Sequence, residues 1–284
     1  MMKLFITGAS GFIGSHLTNL AKKKGYEIIA LNRSYISSQN HDKNIKWLNK
    51  DLLDINMYDL EEVDILFNLA SAGVSPKEAS IQELTKTNIL GSIKLMEESI
   101  KANVKRCIFT GSCHEYGLSS DRYKMIPSNA PLIPTNNYAR SKVASFYMLE
   151  ALCKNYQTEF IYPRIFSAYG LGQNEMNFWP SLRNAALNNL DFKMTKGTQI
   201  RDFIPVEEVA EHLINCCSRK DVIKGTPLVF NIGSGSPISI IDFAKKEWKR
   251  LKAKGQLLNG VIPERENEPN SFVPDLNNLY EKKI

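Results

Sequence analysis

Long apolar runs are missing from this chain: no stretch approaches the ~20 residues that a bilayer span requires. The few residues between Lys3 and Gly8 are too short for the apolar region of a secretory signal, so neither membrane partners nor export is expected. Cysteine is scarce, and the five present (Cys107, Cys113, Cys153, Cys216 and Cys217) include no Cys-x-x-Cys pair. An odd, unpatterned set argues against a disulfide framework; reduced thiols in a cytoplasmic protein, and no metal site, are expected. Blocks of one charge are lacking too. Lys and Arg (36) exceed Asp and Glu (30) to leave +6, but they are scattered apart from Lys22-Lys23-Lys24. That run reads as a solvated helix face, so nucleic acid is not an expected partner, whereas the small positive balance suits a phosphate-bearing substrate. Internal repeats and low-complexity tracts are also absent.

What remains is the composition of a globular protein, 43% hydrophobic and 23% charged, in a chain long enough for a sizeable core. Short apolar or β-branched runs at 4–7, 28–31, 45–48, 65–69, 106–110 and 160–163 alternate with helical spacing at 15–24 and 88–102. Alternation at this pitch predicts an α/β fold with a parallel sheet. Beyond Pro163 the pattern changes to helical spacing at 180–189 and 207–217, strands at 200–206 and 228–232, and a Gly/Ser turn at 233–236. The expected division is a first domain over 1–165 and a smaller lobe over most of 166–284. Helix 207–217 is expected to pack back on the first domain, and the polar tail from 263 to drape over the lobe.

Between the first strand and the first helix stands Thr7-Gly8-Ala9-Ser10-Gly11-Phe12-Ile13-Gly14. Gly8 permits a tight turn, Gly11 allows close backbone approach to a pyrophosphate, and Gly14 allows the helix to pack closely on the strand. The helix N-terminus then offers free N–H groups to the anion. The Gly-x-x-Gly-x-x-Gly spacing resembles the short-chain dehydrogenase/reductase superfamily, and in detail its extended branch of nucleotide-sugar epimerases and dehydratases. That resemblance implies a doubly wound Rossmann sheet carrying a nicotinamide dinucleotide on Gly8, Ser10, Gly11, Phe12, Ile13 and Gly14. It also implies Asp51 and Leu52 beside the adenine, and Ala70 and Ser71 near the pyrophosphate.

At the end of the second strand, where an NAD enzyme usually has a carboxylate for the ribose hydroxyls, stand Asn32-Arg33-Ser34. Asn32 does not repel a 2′-phosphate, and Arg33 can donate charge-assisted hydrogen bonds to one. NADP(H) is therefore expected over NAD(H), with NAD(H) still open.

Tyr138 and Lys142 stand four apart, which on a helix places them on one face a turn removed. An ammonium beside a phenol is expected to lower its pKa and suit it for proton exchange with a substrate hydroxyl. The run Thr110-Gly111-Ser112-Cys113-His114-Glu115-Tyr116-Gly117 resembles the family's Ser/Thr-x-x-x-Tyr-Gly signature. It implies Ser112 as hydrogen-bond donor to the reacting oxygen. Cys113 and His114 occupy the place of the Asp-Glu pair of the family's 4,6-dehydratases, which argues against dehydration. His114 is left as a candidate acid or base, or as a wall of the sugar pocket. Asn177 takes the place of a histidine found in the epimerase-reductases that make GDP-fucose.

The segment 162–170, with Ile165, resembles the part of the family fold where nicotinamide meets sugar, and Asn177, Arg201 and Arg265 match positions that contact the substrate's diphosphate. The resemblance implies NADPH-dependent reduction of the 4-keto group of a nucleotide-linked (deoxy)hexose. The alternatives are an NAD-retaining 4-epimerase and a non-catalytic NADP(H) sensor. A homodimer pairing through 88–102 and 138–153 is also implied.

Overall fold

The structure is a computed structural model, and it describes residues 1–33, 45–264, 268–277 and 279. Ser34 and Arg265 lie outside the described residues. The chain opens with β1 (Lys3–Thr7), α1 (Phe12–Lys23), β2 (Glu27–Asn32), β3 (Ile45–Asn49) and β4 (Ile65–Asn68). A long helical stretch follows: α2 (Ile81–Leu84), a π-helical turn (Thr85–Leu90) and α3 (Gly91–Lys101). Then come β5 (Arg106–Phe109), β6 (Gly111–Ser112), α4 (Asn137–Tyr156), β7 (Glu159–Ile165), β8 (Ser167–Tyr169), α5 (Phe178–Leu187) and β9 (Phe192–Met194). The last part holds β10 (Ile200–Pro205), α6 (Val206–Asn215), β11 (Leu228–Ile232), β12 (Pro237–Ser239), α7 (Ile240–Arg250), β13 (Leu257–Asn259) and β14 (Ser271–Phe272).

The central sheet runs β11-β7-β5-β4-β1-β2-β3, with β6 also on β7, and every pairing is parallel. Its strands alternate between two covered faces, as a doubly wound sheet requires. Leu4, Ile6, Ile28 and Ala30 pack with Leu17 and Ala21 of α1 and with Val209, Ala210 and Leu213 of α6. Phe5, Ile29 and Leu31 pack on the other side with Leu95 and Met96 of α3 and Phe146 and Leu149 of α4. Strand order reverses between β1 and β4, so their C-terminal ends flank the crevice where such folds take a ligand.

A second sheet, β12-β10-β14 with β8 also on β10, carries the smaller lobe. Behind it Phe203 and Phe243 stack at 3.9 Å between ring centroids, with Tyr169 and Phe178 against them. The tail lies across this lobe: β14 pairs with β10, and the Ile126 N–H donates to Val273 O at 2.7 Å.

Several boundaries differ from the sequence reading. The helical stretch expected over 88–102 begins at Ile81, because Ser80 and Glu83 form a reciprocal capping box. The helix expected over 180–189 begins at Phe178, and Pro180 falls in its first turn, where a missing N–H costs nothing. α7 was not anticipated, although Ser239 caps it by accepting from the Asp242 N–H. Among the described residues no helix is long and apolar enough to cross a membrane, and no group of three or more His, Cys, Asp or Glu is placed to hold a metal ion.

Gly14 is where α1 meets β1 most closely: a Cβ there would collide with the backbone of Gly8 and Ala9. Gly14→Ala should lose at least ~2 kcal/mol of stability by overpacking. Gly25→Ala, at φ +79° with nothing near its Cβ, should lose only about 1 kcal/mol. Urea midpoints measure both, and equal losses would contradict this account of α1 packing.

Candidate active site

The turn after β1 is built for close approach. Gly8 has φ +66°, and a Cβ on it would lie 2.8 Å from the Ala70 nitrogen. Gly11 is the N-cap of α1 and no side chain caps the helix, so the first-turn N–H groups at Phe12, Ile13 and Gly14 have no intrahelical partner. A diphosphate fits this turn: only glycine is tolerated at its tightest points, and the helix end supplies donors and a partial positive charge. Beneath it the Thr7 hydroxyl donates to Asn68 Oδ1 at 2.6 Å and accepts from the Ala70 N–H at 3.2 Å. These bonds lock the ends of β1 and β4 across the crevice.

At the end of β2 the Ser10 hydroxyl donates to Asn32 Oδ1 at 3.3 Å, and Arg33 is exposed. Asp51 accepts from the Leu53 N–H at 3.1 Å and pairs with Lys86 at 3.1 Å. The Leu53 N–H, with Lys86 and the nearby Arg33 charge, holds its carboxyl below the usual range. Leu52 is buried against Gly91 in the core under α3.

Tyr138 and Lys142 sit in the first two turns of α4, which Asn136 caps by accepting from the Ala139 N–H at 2.9 Å. Ser112 ends β6, and its hydroxyl and that of Ser71 interact with the Tyr138 phenol. The expectation that Lys142 lowers the phenol's pKa needs correction. Burial, followed by repulsion from Glu115, raises Tyr138 well above its ordinary value, outweighing the two serine hydroxyls that pull it down. Burial likewise pushes Lys142 down, with Glu115 acting against it.

Two buried devices that the sequence reading did not assign hold this centre. The first is Glu115, fully buried, which accepts from the Ser112 N–H at 2.8 Å, the Tyr162 hydroxyl at 3.0 Å and Arg164 Nε at 2.8 Å. The spacing Ser112-x-x-Glu115 is a capping-box signal, so its local half was available in the sequence. The second is Asn88, carried by the π-helical turn. Its Nδ2 donates to Ser141 Oγ at 2.9 Å and Ala72 O at 3.1 Å, while Oδ1 accepts from the Ala72 N–H at 2.8 Å and the Ser71 hydroxyl at 3.2 Å. Asn88 thus ties the loop after β4 to α4, and through Ser71 it supports Tyr138.

On the far side of Ser112, Cys113 is buried and its thiol is pushed up to about 12 by burial. His114 is exposed, with its ring edge-on to Phe272 at 5.5 Å. Ile165 lies beside Ser112 on β7. Asn177 is the N-cap residue of α5, half-buried, and its side chain does not cap the helix. Arg201 is occupied by the tail: it donates to Glu268 at 2.7 Å and to the carbonyls of Ile200 at 2.9 Å and Pro269 at 3.1 Å.

The family described as NAD dependent epimerase/dehydratase matches residues 4–233. Among individual proteins, the chain is 29% identical to a dTDP-D-glucose 4,6-dehydratase of Dictyostelium discoideum, over 87% of this chain but only 61% of that protein's length. It is 26% identical to a CDP-abequose synthase of Salmonella typhimurium, over 97% of this chain and 90% of the relative. The solved structure of MoeE5 with UDP-glucuronic acid and NAD superposes with TM-score 0.85 at 26% identity, covering 98% of this chain and 91% of that one.

Asn88→Ala strips partners from the Ser71 and Ser141 hydroxyls and from both backbone groups of Ala72. At roughly 1 kcal/mol or more for each buried group left unpaired, the loss should reach about 2–4 kcal/mol in chemical denaturation. A loss below ~1 kcal/mol would mean that the π-helical turn is not what holds the loop.

Proposed function

Since the chain belongs to the NAD dependent epimerase/dehydratase family, we propose that it reduces the 4-keto group of a nucleotide-linked (deoxy)hexose with NADPH. The observation that carries this reading is the end of β2, where Asn32 and an exposed Arg33 stand in place of a carboxylate. Residues 1–165 would bind the dinucleotide and most of 166–284 the nucleotide sugar.

When bound, the reduced dinucleotide supplies the hydride. The diphosphate would lie on the α1 N-terminus, with Gly8, Gly11 and Gly14 giving it room. Ser112 donates a hydrogen bond to the C4 carbonyl oxygen and polarises it. Tyr138 donates its proton to that oxygen as the alcohol forms, a role that favours a phenol held protonated at neutral pH. Lys142 stabilises the phenolate left behind. Cys113, a buried neutral thiol, is not suited to the acid work of a dehydration. The Salmonella relative, whose name gives a CDP-linked sugar as product, supports the substrate class.

A second reading, an NAD-retaining 4-epimerase, is supported by the NAD in the MoeE5 structure. Tightly retained NAD in the purified protein would favour it; an empty site that takes up NADPH would favour the reductase. We also propose that two copies pair through residues 88–102 and 138–153, where Leu90 at the end of the π-helical turn and Tyr147 and Met148 of α4 are exposed. A protein that sediments as a monomer at all concentrations would end that proposal.

The reductase should oxidise NADPH with at least one of the dTDP-, CDP-, GDP- or UDP-linked 4-keto-6-deoxy sugars, and Tyr138→Phe should lower kcat by roughly 100-fold or more. Arg33→Ala should weaken NADPH binding by about tenfold or more and leave NADH nearly unchanged. No turnover with the whole panel, or equal losses for both cofactors, would overturn the reductase reading.

A further inference from the structure

A carboxylate returns to the end of β2 from the neighbouring strand. β3 runs parallel to β2 with Asn49 opposite Asn32, and the Lys50 N–H donates to Asn32 O at 3.2 Å. Asp51, the next residue, therefore follows beside Asn32 and the exposed Arg33. Lys50 does not pair with it, because the Lys50 ammonium lies 2.7 and 2.8 Å from the two oxygens of Asp59. Asp51 is met instead from the helical stretch: its Oδ1 accepts from the Leu53 N–H at 3.1 Å and its Oδ2 from Lys86 Nζ at 3.1 Å. The backbone on both sides is fixed. Leu52 is buried against Gly91, where a Cβ would lie 2.5 Å from Leu52 Cδ2, and the Gly91 N–H donates to Lys86 O. That bond spans the π-helical turn, whose extra residue re-aims the side chains around it. Lys86 thereby reaches Asp51 while Asn88, two residues on, reaches Ser141 of α4.

We propose that Lys86 is a specificity-determining residue for the dinucleotide: its ammonium cancels the Asp51 carboxylate, so that the end of β2 keeps the positive charge of Arg33 for a 2′-phosphate. This role rests on the reading of that strand end as a 2′-phosphate site. A carboxylate on β2 would repel a 2′-phosphate, and one that arrives from β3 does the same unless a cation offsets it. Stability does not account for the pair. With the Lys86 and Asp51 side chains 57% and 36% exposed, it belongs to the class of ion pairs whose net contribution is small. Its effect on a further anion is likewise modest and falls with salt, since the charges lie near water. Lys86 acts through Asp51, not by touching the phosphate.

NADP+ and NAD+ differ only in the 2′-phosphate, so the ratio of their dissociation constants, measured by calorimetry at low ionic strength, isolates its contribution. Wild type should bind NADP+ more tightly. Lys86→Met should reduce that preference by about threefold or more, Lys86→Arg should retain it, and the loss should shrink at high salt. The deciding variant is Asp51→Asn/Lys86→Met, in which the Asn side chain still accepts from the Leu53 N–H but carries no charge. It should recover the wild-type preference. A merely structural role for Lys86 would weaken both dinucleotides alike and leave the ratio where it was, which would overturn the proposal. A double variant that stays as low as the single one would also overturn it, since that is the result of direct contact between Lys86 and phosphate. A wild type that does not prefer NADP+ would end the NADPH reading itself, and the role of Lys86 with it. A wild-type preference for NADP+ that Lys86→Met leaves unchanged would end only the role of Lys86, so the two readings fail separately.

Discussion

The backbone of α1 presses on the turn that precedes it, and much of the molecule's arrangement follows from that contact. With no side chain at Gly14, the helix can sit against Gly8 and point its uncapped N-terminus over the crevice between β1 and β4. Further along the same buried face, Leu17 and Ala21 pack in the core that α6 joins through Val209, Ala210 and Leu213, which brings the chain back to the first sheet. A wider helix-to-strand distance would move the uncapped helix end away from the strand ends and weaken the packing of α6. The absence of one side chain therefore sets the spacing of two layers.

From that crevice a chain of satisfied polar groups runs toward α4. Thr7 bonds Asn68, Asn68 Nδ2 donates to Ser92 of α3 at 3.1 Å, and one helical turn earlier Asn88 gathers Ser71, Ala72 and Ser141. Buried polar networks of this kind favour a single arrangement, because any other leaves donors or acceptors unpaired in a low-dielectric interior. Asn88 sits in a π-helical turn, where one extra residue re-aims a side chain. The turn after β1 and Tyr138 are thus linked through a buried polar network that passes along α3 and its π-helical turn.

Much of this was legible in the sequence where the signal is local. The alternation of Leu4, Phe5 and Ile6 marks a strand buried on both faces, the three glycines mark a turn that must approach closely, and Tyr138 and Lys142 share a helix face because they are one turn apart. The start of the long helical stretch at Ile81 was equally available in Ser80-x-x-Glu83. Long-range pairs were not. Nothing near Glu115 in the chain says that Arg164 will neutralise it, and nothing near Arg201 says that Glu268 will take its guanidinium. The pKa of Tyr138 was misjudged for the same reason: proximity of Lys142 along the helix is visible in sequence, whereas the burial that dominates is a property of the assembled fold.

The tail that crosses the smaller lobe has a consequence for how the molecule comes into being. Asp121 accepts from the backbone N–H groups of Asn270 and Ser271, partners 149 and 150 residues away, and Arg201 waits for Glu268, 67 residues on. At about 5–20 residues per second of synthesis, the ribosome delivers all of the central sheet through β11 well before these partners. Until they arrive, β10 carries an edge that β14 will later cover, with unpaired N–H and C=O groups available to any other extended strand. The nascent chain is therefore most exposed to mispairing in the interval between the emergence of β10 and that of β14, which closes it.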